Sequence, residues 1–156
     1  MSLESVRAFF ATHAPDVTVI VTSERSATVA EAAAAHGVEP DQIAKTLGLK
    51  VGGEVILIVL GGSARLDNQK YKARFGEKAR MLGADEIVAA TSHPVGGVCP
   101  FGLPSAFKIY ADVSLKAFEE VIPAAGATNA AVRISPLRMA SLVNAEWVDV
   151  AQNPAG

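Results

Sequence analysis

The chain has 156 residues, a formal net charge of −2, and 50% hydrophobic against 19% charged residues. That balance excludes an intrinsically disordered chain, and no apolar run approaches the ~20 residues of a membrane-spanning helix. It also argues against strong non-specific binding to nucleic acid, while leaving room for a local basic patch.

Cys99 is the only cysteine, which excludes an internal disulfide and a cysteine zinc cluster. Met1-Ser2-Leu3-Glu4-Ser5 has neither the basic start nor the apolar core of a secretion signal. The expectation is a single cytoplasmic domain over residues 1–156.

In chain order, Ser2 reads as an N-cap for a helix over 3–13, because Leu3, Val6, Phe9 and Phe10 share one face. The β-branched run 17–22 reads as a strand. Residues 28–36 form an alanine-rich helix closed by Gly37. Asp41 is expected to cap a short turn running through Gln42, Ile43 and Ala44. Residues 45–51 alternate in polarity, Gly52-Gly53-Glu54 turns the chain, and 55–60 is wholly apolar, which predicts a β-hairpin. Asp67 opens a helix over 68–75 that Gly76 stops, and 85–90 is a third short helix.

The next stretch, His93 to Leu103, holds three glycines and two prolines among apolar residues. The plain reading is a tight connection; the alternative is a rigid, partly buried turn that presents backbone N–H groups to a ligand. Beyond it come a strand over 106–110, a helical turn over 114–118 and an edge strand over 120–124 marked by Pro123. A turn over 126–129 leads into a strand over 131–134. A helix capped by Ser135 runs from Pro136 to about Val143, then comes a strand over 147–150 and a frayed tail over 151–156. The class is mixed α/β (α+β), a largely antiparallel sheet or partial barrel with surrounding helices, and not a doubly wound nucleotide fold.

The chemical inventory is sparse. There is no P-loop, no GxSxG, no paired-carboxylate motif and no metal-ligand cluster. His13 and His36 stand at helix ends, where the dipole favours them. No helix start or paired histidine marks Cys99 as an activated nucleophile. The segment 65–80 carries Arg65, Lys70, Lys72, Arg74, Lys78 and Arg80 against Asp67 and Glu77. That is either a solvated face or a phosphate-contacting patch. Lys45 opens an otherwise apolar strand, and Gly96-Gly97 can aim N–H groups at an ester carbonyl.

Lys45-Thr46-Leu47, the apolar hairpin, Arg65-Leu66-Asp67 and Gly96-Gly97-Val98-Cys99-Pro100-Phe101-Gly102 together resemble the YbaK-like aminoacyl-tRNA deacylases. That group includes the editing domain of bacterial prolyl-tRNA synthetases and free-standing relatives. The likeness runs over about residues 19–150, and its specific parts are the lysine and a G-x-x-x-P loop, Gly96 to Pro100.

The resemblance implies a cytoplasmic hydrolase that cleaves the ester of mischarged tRNA in trans without metal or cofactor. The expected substrate is tRNA(Pro) carrying a small wrong amino acid such as alanine or cysteine. Lys45, Gly96 and Gly97 are the implied catalytic residues, with the lysine at the pocket rim facing the Gly96 loop. Thr46, His93, Cys99, Pro100, Phe101, Gly102 and Asn129 are the implied substrate contacts. With tRNA as the substrate, Lys70, Lys72 and Arg74 of the basic segment become the expected tRNA contacts. The implied partners are the acceptor end of aminoacyl-tRNA and prolyl-tRNA synthetase. The runner-up is a non-catalytic tRNA- or synthetase-binding module of the same fold.

Overall fold

The structure, a computed structural model, describes residues 2–152. In chain order its helices and strands are α1 (Ser2–His13), β1 (Ile20–Val21), α2 (Val29–His36), β2 (Ile43–Val51), β3 (Glu54–Gly61), α3 (Asn68–Phe75) and α4 (Ala84–Thr91). Then come β4 (Lys108–Asp112), β5 (Ile122–Pro123), β6 (Ala130–Ala131), α5 (Pro136–Leu142) and β7 (Glu146–Val148).

The framework is the β2–β3 hairpin, paired antiparallel from Val51↔Glu54 to Ala44↔Gly61. Its two-residue turn is Gly52-Gly53 at φ 58° and 82°, the left-handed pair that matches the twist of the strands. β4 joins β3 in parallel, β7 joins β4 in parallel, and β5 joins β2 in parallel, giving the order β5-β2-β3-β4-β7. β1 and β6 make a second, antiparallel pair. Isolated bridges Val121↔Ile134 and Ala124↔Ala131 tie that pair to the β5 side, so the mixed sheet curls.

β3 is buried on both faces. Leu57 and Val59 meet α1 (Val6, Phe10), Cys99, Phe101 and α5 (Met139) on one side. Ile56, Ile58 and Leu60 meet Tyr71 of α3 and Val148 on the other. Leu57, Ile58 and Leu60 are fully buried, each worth about 1.5–3 kcal/mol of transfer free energy.

The helices follow their local signals. Thr28 and Glu31 form a reciprocal capping box for α2, and Gly37 closes it at φ 66°. Asp67 caps α3 through the Lys70 N–H, Gly76 ends it, and Ser135 caps α5 with Pro136 in its first turn.

Other expectations are corrected by pairings between distant segments. The Ser2 hydroxyl does not cap a helix but bonds His93 Nδ1. Ile43 and Ala44 leave the expected turn and join β2, because Ile122 and Pro123 pair with them. The turn is only the 3-10 stretch Pro40–Gln42, and the Asp41 carboxylate accepts from the Ser63 N–H instead of capping it. β4 starts at Lys108, where pairing to Ile56 begins. β1 and β6 are two residues each, as their mutual ladder is two pairs long. The tail is held through Ala151, which bridges Leu66, and Gln152, whose N–H donates to Arg65 O; residues 153–156 lie outside the described range.

Candidate active site

A cleft of about 330 Å³ opens at the outer edge of β2, walled by the start of α2, the segment 81–87 and the loop around Gly96. Small residues line its depth: Ala32, Ala44, Gly48, Ala124, Ala130 and Ala131. Its mouth carries Met81 and Val95, both more than half exposed.

Of the residues singled out in the sequence, Lys45, Thr46 and Gly96 line this cleft. Val98 lines it too, and sequence reasoning passed it over. Gly96 sits at φ 90°, a conformation that glycine adopts freely. A Cβ there would lie 2.6 Å from Ala27 Cβ and 3.1 Å from Ala27 Cα. The loop is therefore packed directly on the residue before the α2 cap. Among the described residues no acceptor takes the Gly96 or Val98 N–H, and both residues line the cleft.

Gly97 is different from the expectation. Its N–H donates to Pro94 O and its carbonyl accepts from the Gly126 N–H, so its donor is spent inside the turn. It packs instead on Ala127, whose N is 2.7 Å from where a Cβ would stand.

Lys45 is also placed differently. Its stem lines the cleft, but Nζ donates to Gly62 O at 3.0 Å and Ala64 O at 2.6 Å, turning the ammonium toward the turn after β3 rather than toward Gly96. Partial burial, with Arg65 nearby, lowers its pKa against the opposing pull of Asp41.

His93, Cys99 and Phe101 leave the cleft for the core beneath α1, each fully buried. His93 Nε2 donates to Phe101 O at 2.8 Å, which leaves Nδ1 to accept from the Ser2 hydroxyl, and burial lowers the imidazole pKa. The structure does bring a histidine to the cysteine, since Cys99 Sγ lies 3.4 Å from His93 Nε2. That nitrogen carries the proton given to Phe101, so it is no base for the thiol. Pro100 and Gly102 line a separate depression beside Phe9 and His13. Asn129 fastens the β1 segment by donating from Nδ2 to Thr22 O and stays out of the lining.

Burial pushes the Cys99 thiol up to about 12 from 9.0. The folded state thus keeps a proton that the unfolded state releases above about pH 9. Stability should fall as pH rises from there toward about 12, by at most about 1.4 kcal/mol per unit. Denaturant titrations at pH 8 and pH 10 should show a smaller alkaline loss for Cys99→Ser than for the parent, and equal losses would refute the assignment.

The α3 cations are largely compensated. Lys70 Nζ bonds Asp149 and Ala151 O, and Arg74 pairs with Glu146 while lying over the Phe75 and Tyr110 rings. The Glu146 partner is on β7, three strand spacings or about 14 Å from β2. Lys72 is exposed on the same helix. Arg25 and Arg80 adjoin the lining residues Ser26 and Met81 in sequence, Arg65 lines a neighbouring depression and acts on Lys45, and none of the three has an ion-pair partner among the described residues.

The family profile described as the aminoacyl-tRNA editing domain matches residues 23–142. An uncharacterized protein of Bacillus subtilis (strain 168), YwhH, is 45% identical over 157 residues, covering 98% of this chain and 99% of its own. The proline--tRNA ligase of Geobacter sp. (strain M21) is 30% identical over 110 residues, which span 70% of this chain and only 19% of the ligase. Among solved structures, a candidate trans-editing enzyme for prolyl tRNA synthetase superposes with a TM-score of 0.89 at 28% identity, over 97% of this chain and 98% of that one. The hypothetical protein APE2540 gives 0.87 at 31% identity, over 95% and 99%.

Proposed function

The chain belongs to the aminoacyl-tRNA editing domain family, and from that premise we propose that it hydrolyses the ester of a mischarged tRNA in trans. Water adds its oxygen to the acyl carbon, the bond to the ribose oxygen breaks, and the proton goes to that oxygen. The free amino acid and intact tRNA leave.

The observation that carries this reading is the pair of uncommitted N–H groups at Gly96 and Val98, on a loop fixed against Ala27 at the wall of the cleft. Two preorganised donors suit the oxyanion that forms when an ester is attacked. No carboxylate or imidazole lines the cleft among the described residues, so the proton acceptor is taken to be the substrate's own ribose hydroxyl or water. An activated ester needs positioning more than a strong base. Lys45 acts by holding the Gly62–Ala64 turn beside the cleft, with its positive charge near the tRNA end.

The alanine-lined depth favours a small acyl side chain, and the likeness to proline--tRNA ligases favours tRNA(Pro). Action in trans is supported by the Bacillus subtilis relative, whose length this chain covers almost entirely. A panel of tRNA(Pro) charged with proline, alanine, cysteine, serine or threonine tests the proposal. Hydrolysis of one or more wrong esters and sparing of prolyl-tRNA is expected. Binding without hydrolysis of any ester would make the protein a non-catalytic tRNA-binding module.

The partnerless arginines shift the expected tRNA contact away from α3. Neutralising Arg25, Arg65 and Arg80 together should raise KM severalfold and flatten its salt dependence, with kcat nearly unchanged. Neutralising Lys70, Lys72 and Arg74 should do less, because Lys70 and Arg74 already have acidic partners. Salt-dependent binding measurements on the two triple variants decide between the patches.

A further inference from the structure

The polar side chains of the cleft are nearly all committed within the protein. Ser26 Oγ donates to Thr128 O, Thr28 Oγ1 accepts from the Glu31 N–H, and Lys45 Nζ holds two carbonyls. Thr46 is the exception. Its Oγ1 is buried and has no hydrogen-bond partner among the described residues.

The main chain of Thr46 is open as well. Gly48 O accepts from the Leu82 N–H, and Lys50 N–H donates to Arg80 O, so both residues turn their backbone groups away from β3. Antiparallel strands alternate in this respect with a period of two, so Thr46 and Ala44 also turn theirs outward. Ala44 is covered by Pro123 of β5. Thr46 falls between the end of β5 and the arrival of Leu82. Neither its N–H nor its C=O meets an outward partner among the described residues. The β2 edge therefore has a gap one outward residue wide, and that residue lines the cleft.

An unmade buried hydrogen bond is costly, so the Thr46 Oγ1 and C=O, two open acceptors on one residue of the cleft wall, call for a donor that completes them. We propose that this gap receives the free α-ammonium of the aminoacyl ester, which donates to Thr46 C=O and Thr46 Oγ1, and that the cleft thereby rejects N-blocked acyl-tRNA. The inference rests on the deacylase reading and names the substrate class within it. An ammonium is a donor only, and both groups assigned to it are acceptors. No carboxylate in the lining competes for it among the described residues. An aminoacyl unit is one residue of backbone, the length of strand edge left uncovered.

The test takes the aminoacyl-tRNA cleaved fastest in the tRNA(Pro) panel, with its N-acetyl and N-methyl derivatives. Each rate is divided by the buffer hydrolysis of the same ester, which removes their differing intrinsic lability. The N-methyl ester keeps its charge and should be cleaved nearly as well as the parent substrate. The N-acetyl ester should be cleaved at least roughly tenfold more slowly, the scale of one lost hydrogen bond to a charged group. Thr46→Val should lower the rate on the free-amine substrate about tenfold and shrink the discrimination, while Thr46→Ser restores both. Equal cleavage of the N-acetyl ester, or unchanged discrimination in Thr46→Val, overturns the proposal. If no ester is cleaved at all, the deacylase reading fails and this inference falls with it, a result distinct from loss of amine selectivity alone.

Discussion

Gly96→Ala is expected to cut kcat/KM for deacylation about a hundredfold, the scale of one misplaced oxyanion donor. Two causes act together. The φ of 90° is strained for any residue with a Cβ, and the new methyl would stand 2.6 Å from Ala27 Cβ. The loop must then move, taking the Gly96 and Val98 N–H groups with it. Because Ala27 precedes the capped start of α2, the loop and not the helix should yield. The double variant Gly96→Ala/Ala27→Gly removes the tightest contact and leaves the 3.1 Å approach to the residue-27 Cα and the backbone strain, so it should recover part of the activity. Cys99→Ser should keep most activity, since the sulfur is buried away from the cleft. Single-turnover assays on all three variants are decisive: an active Gly96→Ala with an inactive Cys99→Ser would point to a thiol nucleophile instead.

Gly62→Ala should destabilise the fold more than Gly96→Ala or Gly53→Ala. Its Cβ would collide with Pro40 O and lie 2.7 Å from Val29 Cγ1, and the nearer obstacle is main chain. Overpacking of this kind costs about 3 kcal/mol, or a Tm loss of roughly 10 °C for a chain of this size. Gly53→Ala is the control. It has φ 82° but nothing within 4 Å of its Cβ, so it should cost only about 1 kcal/mol of backbone strain. Equal Tm losses would refute the packing argument. Gly62→Ala should also lower activity, because Gly62 O is one of the two carbonyls that hold Lys45. Lys45→Met, which keeps the apolar stem, should share the loss of activity, roughly tenfold, with a smaller change in Tm.

Signals confined to a few neighbouring residues were readable from the sequence. The Gly52-Gly53 turn between alternating and apolar runs announced the hairpin. Thr28, Asp67 and Ser135 announced helix starts, and the lysine and glycine loop that carry the family resemblance both reach the cleft wall. Features set by partners far along the chain were not readable. The α3 cations looked free because Glu146 and Asp149 lie more than seventy residues away. His93 and Cys99 looked like loop residues open to a ligand, but α1 folds over them and draws them inside. The direction of the Lys45 ammonium depended on two carbonyls that the sequence does not mark. The committed amide of Gly97 and the open one of Val98 depended on turn geometry, which glycine content alone leaves undetermined.

The β2–β3 hairpin joins residues close in sequence, whereas β4 and β5 close loops of tens of residues onto it and β7 closes another onto β4. Loop closure must be met before such contacts form, so the hairpin is the natural early nucleus and the parallel strands dock later. Amide hydrogen exchange should follow that hierarchy. Leu57 to Val59, with both neighbours in place, should exchange only through global unfolding, and the β7 amides should open at lower cost. The cleft, built where β2 lacks a continuous outer neighbour, sits on one strand of that early hairpin but beside its least covered edge. Its walls are then expected to open at lower cost than the strand beneath them.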